Sequence, residues 1–373
     1  MLGTRGVPAL HGGFETAVEQ IGARLVERGH EVTVYARNPG QSITEYRGMS
    51  VVNLPALRHR FTETLTHTAL SSAHTVLQTK PDVAMVFNAG NAPLLRPLIR
   101  AGVPSAVHLD GLESRRDKWR GAGARYYRWA EKAATKWADA VVVDSQEIAQ
   151  YVERTYGRQA VFIPYGAEVI DPGSDRLAEL NLVRRDFHLV VARLEPENHV
   201  LDAVIAYRRS EETRPLVVVG SAPYSRWYID KVHAAAANDP RIHFLGGVYD
   251  QEVLDQLYGN CRTYIHGHSV GGTNPSLLRA MGAGAPVLAF DCSFNREVTN
   301  DQALFWMDAD ELTVHLDDVA ESSDVLDTDD TQQKLAELSA SGRSRISHHY
   351  QWDAVTADYE RLLAGLAKLR VAA

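Results

Sequence analysis

A chain of 373 residues, 45% hydrophobic and 23% charged, has the composition of a globular protein and the length of two domains rather than one. A net charge of −8 argues against a general nucleic-acid binder, and no apolar run approaches the ~18 residues that cross a bilayer. Two cysteines, Cys261 and Cys292, build no disulfide framework and lack metal-ligand spacing, so a reducing cytoplasm fits.

The opening MLGTRGVPALHGG places Gly3, Gly6, Gly12 and Gly13 around Arg5, too broken by Gly, Pro, Arg and His for a signal peptide. It is either a flexible tail or a loop whose backbone must approach a ligand, since glycine lacks the blocking Cβ. Only Met1 and Leu2 precede it, so the strand that would fix such a loop is nearly missing. Either the natural start lies a few residues upstream or a two-residue stub suffices. GFETAVEQIGARLVERGH then carries apolar residues at helical spacing, and EVTVYAR reads as a strand.

DVAMVFNAG, SAVHLDG, AVVVDS and AVFIPYG follow, each a buried strand ending in polar or glycine residues. EVIDPGSDRLAELNLVRRD, polar and uneven, reads as a linker. The second half repeats the rhythm in FHLVVAR, PLVVVGS, RIHFLGG, TYIHGHS and PVLAFD, with helices between. Residues 308–331 read as irregular and acidic, and DAVTADYERLLAGLAKL as a last helix. Alternating strands and helices imply an α/β fold of two doubly wound parallel sheets.

Ligands of such sheets bind beyond the C-terminal strand ends, where loops enter helix N-termini. Three places qualify. The glycine loop feeds a helix beginning near Gly13, where a phosphate is the natural guest, although a plain turn is the commoner meaning of such spacing. In VVARLEPENH, Arg193 ends a strand and could grip a diphosphate through two oxygens, or simply pair with Glu195 or Glu197. In HSVGGTNPSLLRAMGAGAPVLAFD, Asn274 as N-cap and Pro275 as first helical residue make a strong helix start. His266 and His268 lack a third ligand for zinc and read as hydrogen-bonding groups.

RRDKWRGAGARYYRWAEKAATK, residues 115–136, holds eight Lys or Arg against Asp117 and Glu131. On a helix, Arg125, Arg128, Lys132 and Lys136 share one stripe beside Trp129. The stripe suits an anionic membrane or a lipid diphosphate, and equally a solvated face with its aromatics packed inward.

GTRGVPALHGGFET, DGLESRRDKW, ARLEPEN and HGHSVGGTNPSLL together resemble the retaining glycosyltransferases of family four, closest to the bacterial rhamnosyltransferase-like branch. The resemblance runs over nearly the whole chain and implies the GT-B fold, two Rossmann-like domains facing across a cleft. It implies an acceptor domain over residues 1–168, a nucleotide-sugar domain over 169–345, and a helix over 346–373 crossing back. Arg193 and Asp110 are the catalytic positions it implies. Gly12, Gly13, Asn198, His268, Gly271, Gly272, Thr273, Asn274, Ser276 and Arg279 are implied on the donor, with Glu15, Arg115 and Arg116 on the acceptor. No cofactor or metal is implied: a nucleoside-diphosphate sugar is the substrate, and its departing diphosphate helps accept the proton of the incoming hydroxyl.

Three residues depart from the pattern. Arg279 stands where the branch reads SLLEAM, and it has no acceptor for a ribose hydroxyl. Asn198 replaces a lysine of many relatives, and Ser114 a usual tryptophan. Two functions follow. One is a cytoplasmic hexosyltransferase, peripheral on the inner face of the membrane, moving a sugar such as rhamnose to a polysaccharide or lipid-linked acceptor. The other is a weakened relative that only binds sugar nucleotide or assists assembly. An epimerase on the same architecture lacks support, since the cleft motifs hold no extra acid pair.

Overall fold

The computed structural model describes residues 1–9, 12–37, 43–57, 62–109, 111, 121–221, 225–321 and 330–372. They divide into two compact units, Met1–Tyr165 with Trp352–Ala373, and Gly166–Gln351.

In the first unit, α1 (Gly13–Glu27) is followed by β1 (Thr33–Ala36), β2 (Glu45–Tyr46) and β3 (Met49–Asn53), then α2 (Glu63–His74) and β4 (Ala84–Phe87). A 3-10 stretch (Ala89–Leu95) leads into α3 (Arg96–Arg100), β5 (Ser105–Leu109), α4 (Ala122–Trp137), β6 (Ala140–Val143), α5 (Gln146–Tyr156) and β7 (Val161–Phe162). Two groups of strands form, β1–β3–β2 and β4–β5–β6–β7, parallel throughout except for β2 against β3.

The stub joins them. Tyr35 donates its N–H to the Met1 carbonyl at 3.1 Å, while Leu2 donates to Met85 at 3.0 Å and accepts from Phe87 at 2.9 Å. Met1 and Leu2 therefore bridge β1 and β4.

The second unit is a single parallel sheet. Its elements are β8 (His188–Val191), α6 (Val200–Arg209), β9 (Leu216–Val219), α7 (Arg226–Ala236), β10 (Ile242–Gly246) and α8 (Gln251–Asn260). β11 (Thr263–His266), α9 (Pro275–Ala283), β12 (Val287–Phe290), α10 (Ser293–Thr299), β13 (Leu304–Trp306), α11 (Ala309–Glu321) and α12 (Asp330–His349) complete it. The strand order is β10–β9–β8–β11–β12–β13, which reverses direction between β8 and β11. Val190, Leu216, Val218, Ile265 and Leu288 carry the sheet's share of a core completed by Tyr207, Trp306 and Leu316. α13 (Trp352–Ala372) returns to the first unit, where Arg24 and Arg28 of α1 pair with Asp353 at 3.1 Å and Glu360 at 2.9 Å.

Two expectations change here. Residues 309–321 of the acidic stretch form α11, because Leu312, Leu316 and Val319 recur at helical spacing and are buried. The polar segment after residue 168 is packed: Gln256 of α8 accepts from Arg176 N–H and donates to Asp175, both at 2.8 Å, and Asn260 bonds the Gly173 carbonyl. Charge and unevenness read as a linker in one dimension. Side chains of α8 absorb that polarity in three.

Candidate functional site

In the second unit the strand order reverses between β8 and β11, and loops from both strands meet there. Val191 closes β8, and Arg193 follows with a half-exposed side chain, 3.3 Å from the Glu195 carboxylate. The Glu195 side chain is mostly buried, but the contact is a single long one and the guanidinium is half in solvent, so a multiply charged anion can recruit it. The chain then makes one 3-10 turn, Pro196–Asn198, before α6.

That turn is bound tightly to the loop after β11. Gly267 lies so near that a Cβ there would sit 2.3 Å from the Asn198 carbonyl oxygen. Ser269 directs both its N–H (3.0 Å) and its hydroxyl (3.1 Å) to the Glu197 carbonyl. His199, left-handed at φ 47°, reaches Asp202 through Nδ1 at 2.8 Å and Ser269 Oγ through Nε2 at 3.1 Å. Its ring stacks on Phe290 at 4.1 Å.

Asp202, His199 and Ser269 follow the atom order of a catalytic triad. The serine hydrogen, however, points to the Glu197 carbonyl. The set is a brace between loops, and sequence reasoning missed His199 because its partner lies 70 residues away.

Asn198 is buried, donating Nδ2–H to the Arg193 carbonyl at 2.7 Å and standing 2.6 Å from His268 Nδ1 through Oδ1. Gly271, Gly272 and Thr273 are buried as the loop enters α9. Asn274 caps that helix, accepting the Ser276 N–H at 2.9 Å, and Pro275 takes the first helical position. The amide of Ser276 is thus directed at the cap side chain. The helix end still carries its partial positive charge.

Arg279 lies one turn further along, on the face toward α8. It bonds Asp255 at 2.6 Å, and the side chain and carbonyl of Gln251 at 2.5 and 2.9 Å. Beneath the loops, His266 is buried, and that burial pushes its pKa down to about 3.

In the first unit, the glycine loop is held by carboxylates of α1. Glu15 accepts the Arg5 N–H at 2.9 Å, and Glu19 accepts that of Ala9 at 2.8 Å. Burial raises the Glu15 carboxyl above its usual range, opposed by those bonds and by the Arg5 and Arg37 charges. Gly12 is the N-cap of α1, with no side chain to cap it, and Gly13 is its first residue.

Asp110, Arg115 and Arg116 lie outside the described residues, as does Ser114. His108, two positions before Asp110, is buried, with Phe14 and Phe87 rings at 5.4 and 5.7 Å and the Tyr359 hydroxyl 3.2 Å from Nδ1. Burial lowers its pKa to about 3, so it is a neutral core residue.

Arg125, Arg128, Trp129, Lys132 and Lys136 form one exposed stripe on α4. Glu131 is turned inward to the Tyr156 hydroxyl at 3.1 Å, leaving the stripe cationic. Among the described residues, no group of three or more His, Cys, Asp or Glu could hold a metal ion, and no helix is long and apolar enough to cross a membrane.

Two Rossmann-like units with parallel sheets of this kind define the GT-B fold. Solved structures share it at identities that carry the fold alone. Sucrose-phosphate synthase from Thermosynechococcus elongatus has a TM-score of 0.80 at 20% identity, covering 95% of this chain and 94% of that one. Anabaena HepE in complex with UDP has 0.74 at 17%, covering 96% and 98%. A Rickettsia africae glycosyltransferase has 0.73 at 15%, covering 97% of both.

More specifically, residues 12–166 match the glycosyl transferase 4-like domain, and residues 178–326 match glycosyl transferases group 1. By both matches the chain carries two glycosyltransferase domains. No curated protein matches its sequence.

Proposed function

We propose that the protein is a retaining, metal-independent hexosyltransferase. It takes a sugar, rhamnose by the branch its motifs resemble, from a nucleoside diphosphate to a polysaccharide or lipid-linked acceptor in cell-surface glycan synthesis. The second unit holds the donor, with Gly271, Gly272, Thr273, Asn274 and Ser276 around the diphosphate. The first unit holds the acceptor, with Glu15, Arg115 and Arg116 on its side.

One observation carries the reading: Arg193 stands half-exposed at the reversal point of the sheet, just beyond β8, the strand adjacent to the one that leads into α9. A guanidinium and a helix N-terminus at neighbouring strand ends suit two linked phosphates, and would neutralise the charge that grows on the leaving oxygen. HepE, with the same fold, has been seen with UDP and with UDP-glucose, which supports a nucleotide-sugar donor. Positive charge supplied by the protein makes a metal unnecessary in this scheme, and the diphosphate itself takes the acceptor's proton.

The cationic stripe of α4 supports a peripheral site on the cytoplasmic face of the membrane, where a lipid-linked acceptor is met. The pairing of Arg279 with Asp255 favours a second reading, a binding subunit whose ribose contact has been lost.

The test is a donor screen read by mass spectrometry of the acceptor. Transfer from one nucleoside-diphosphate sugar is expected. Arg193→Ala should lower it by roughly 10²–10³-fold while leaving the melting temperature unchanged. Full activity of that variant removes Arg193 from the chemistry. Donor binding without transfer to any acceptor selects the second reading.

A further inference from the structure

Asn198 is a buried polar side chain at the reversal point. Its residue is 4% exposed, and each end of its carboxamide has a protein partner. The partner at 2.7 Å is the Arg193 carbonyl, which can only accept, so the nitrogen of Asn198 must face it. The oxygen therefore faces His268 Nδ1 at 2.6 Å, and an amide oxygen can only accept, so the hydrogen of that contact sits on Nδ1. The backbone of His268 is fixed as well, since Asn295 donates to its carbonyl at 2.9 Å.

We infer that Asn198 is a positioning residue. It holds the Arg193 carbonyl and the Nδ1–H tautomer of His268 together, and acts on the donor only through those two residues. The inference rests on the donor reading above and assigns a different task to the position from direct contact with the diphosphate. Whenever that ring is neutral, its other nitrogen is the acceptor. Arg193 is matched to phosphate oxygens, and His268 fixes the loop that enters α9.

A side chain that grips phosphate directly would act independently of His268. A positioning residue would not. This makes a double-mutant cycle decisive.

UDP binding is measured by calorimetry for the protein, for Asn198→Ala, for His268→Ala and for the double variant. Ring nitrogens are followed by long-range proton–nitrogen NMR. Each single change should weaken UDP binding by about tenfold. The double variant should be no weaker than about threefold beyond His268→Ala, and Asn198→Ala should scramble the His268 tautomer. Asn198→Asp keeps an oxygen for the ring but has no N–H for the Arg193 carbonyl, so it should hold the hydrogen on Nδ1 while still weakening UDP binding, which separates the clamp from a folding defect.

Independent, multiplying losses overturn the inference, as does an unchanged His268 signature in Asn198→Ala. If the unmodified protein does not bind UDP, the donor reading fails in its uridine form. The ring spectrum then still decides the clamp.

Discussion

A single methyl group is enough to unseat the loop that opens the chain. A Cβ on Gly3 would lie 2.4 Å from the Phe87 carbonyl oxygen, and one on Gly6 would lie 2.3 Å from the Ala36 Cβ. Both residues also sit at positive φ, 97° and 99°, where L side chains are strained. Gly3→Ala or Gly6→Ala should each cost about 3 kcal/mol, read as a lowered urea midpoint. A midpoint unchanged in both would mean that the loop is not seated on β1 and β4. Arg279 makes a second residue-scale case, because its chemistry is committed to α8. Arg279→Glu would set two carboxylates against each other and should cost about 1 kcal/mol of stability, relieved by adding Asp255→Asn. If turnover rises in that double variant, Arg279 is what restrains the enzyme.

Helices show how far a pattern can be read. Asn274–Pro275 announces α9 unambiguously, because a side-chain cap and a residue lacking N–H are local devices that need no tertiary context. The face of α4 was ambiguous, since periodicity says which residues share a stripe and not which way it points. Packing buries Ala130, Ala133 and Ala134 with Glu131 and leaves the basic residues and Trp129 exposed. Co-sedimentation with vesicles containing anionic lipid should therefore be strong at low salt and fall as salt rises. Lys132→Glu with Lys136→Glu should abolish it. Equal retention on neutral vesicles would refute an electrostatic surface. The hairpin of β2 and β3, by contrast, escaped notice. Its strands are short, and Met49 and Val51 find their burial only against α1 and β1.

At the scale of the whole chain, buried histidines set the response to acid. Burial holds the pKa of His67 at about 4, and that of His108 and His266 at about 3, against 6.5 ordinarily. Below pH 6.5 the unfolded chain therefore binds protons that the folded one refuses. The stability these residues contribute is complete above that pH and falls as pH drops toward 3, by up to about 1.4 kcal/mol per histidine per pH unit. Glu212, bonded to His188 at 2.9 Å, has its pKa at about 2, and its contribution is lost between about pH 4.5 and 2. The urea midpoint should thus decline from pH 6.5 downward. A flat profile between pH 7 and 5 would show that the histidines are not buried as neutral groups.

Strand and helix order, the glycine loop, the capped helix and the family-bearing motifs could all be read from the chain, because each is written in neighbouring residues. Arg193 could be singled out as well, since a cation at a strand end is a local fact. What it touches could not. The commitment of Asn198 to His268, the brace through His199, the bridging of β1 and β4 by Met1 and Leu2, and the capture of Arg279 by Asp255 each join residues distant in sequence. Hydrogen bonds and ion pairs act over about 3 Å of space with no regard for separation along the chain, so only the folded sheet, by bringing strand ends together, could choose those partners.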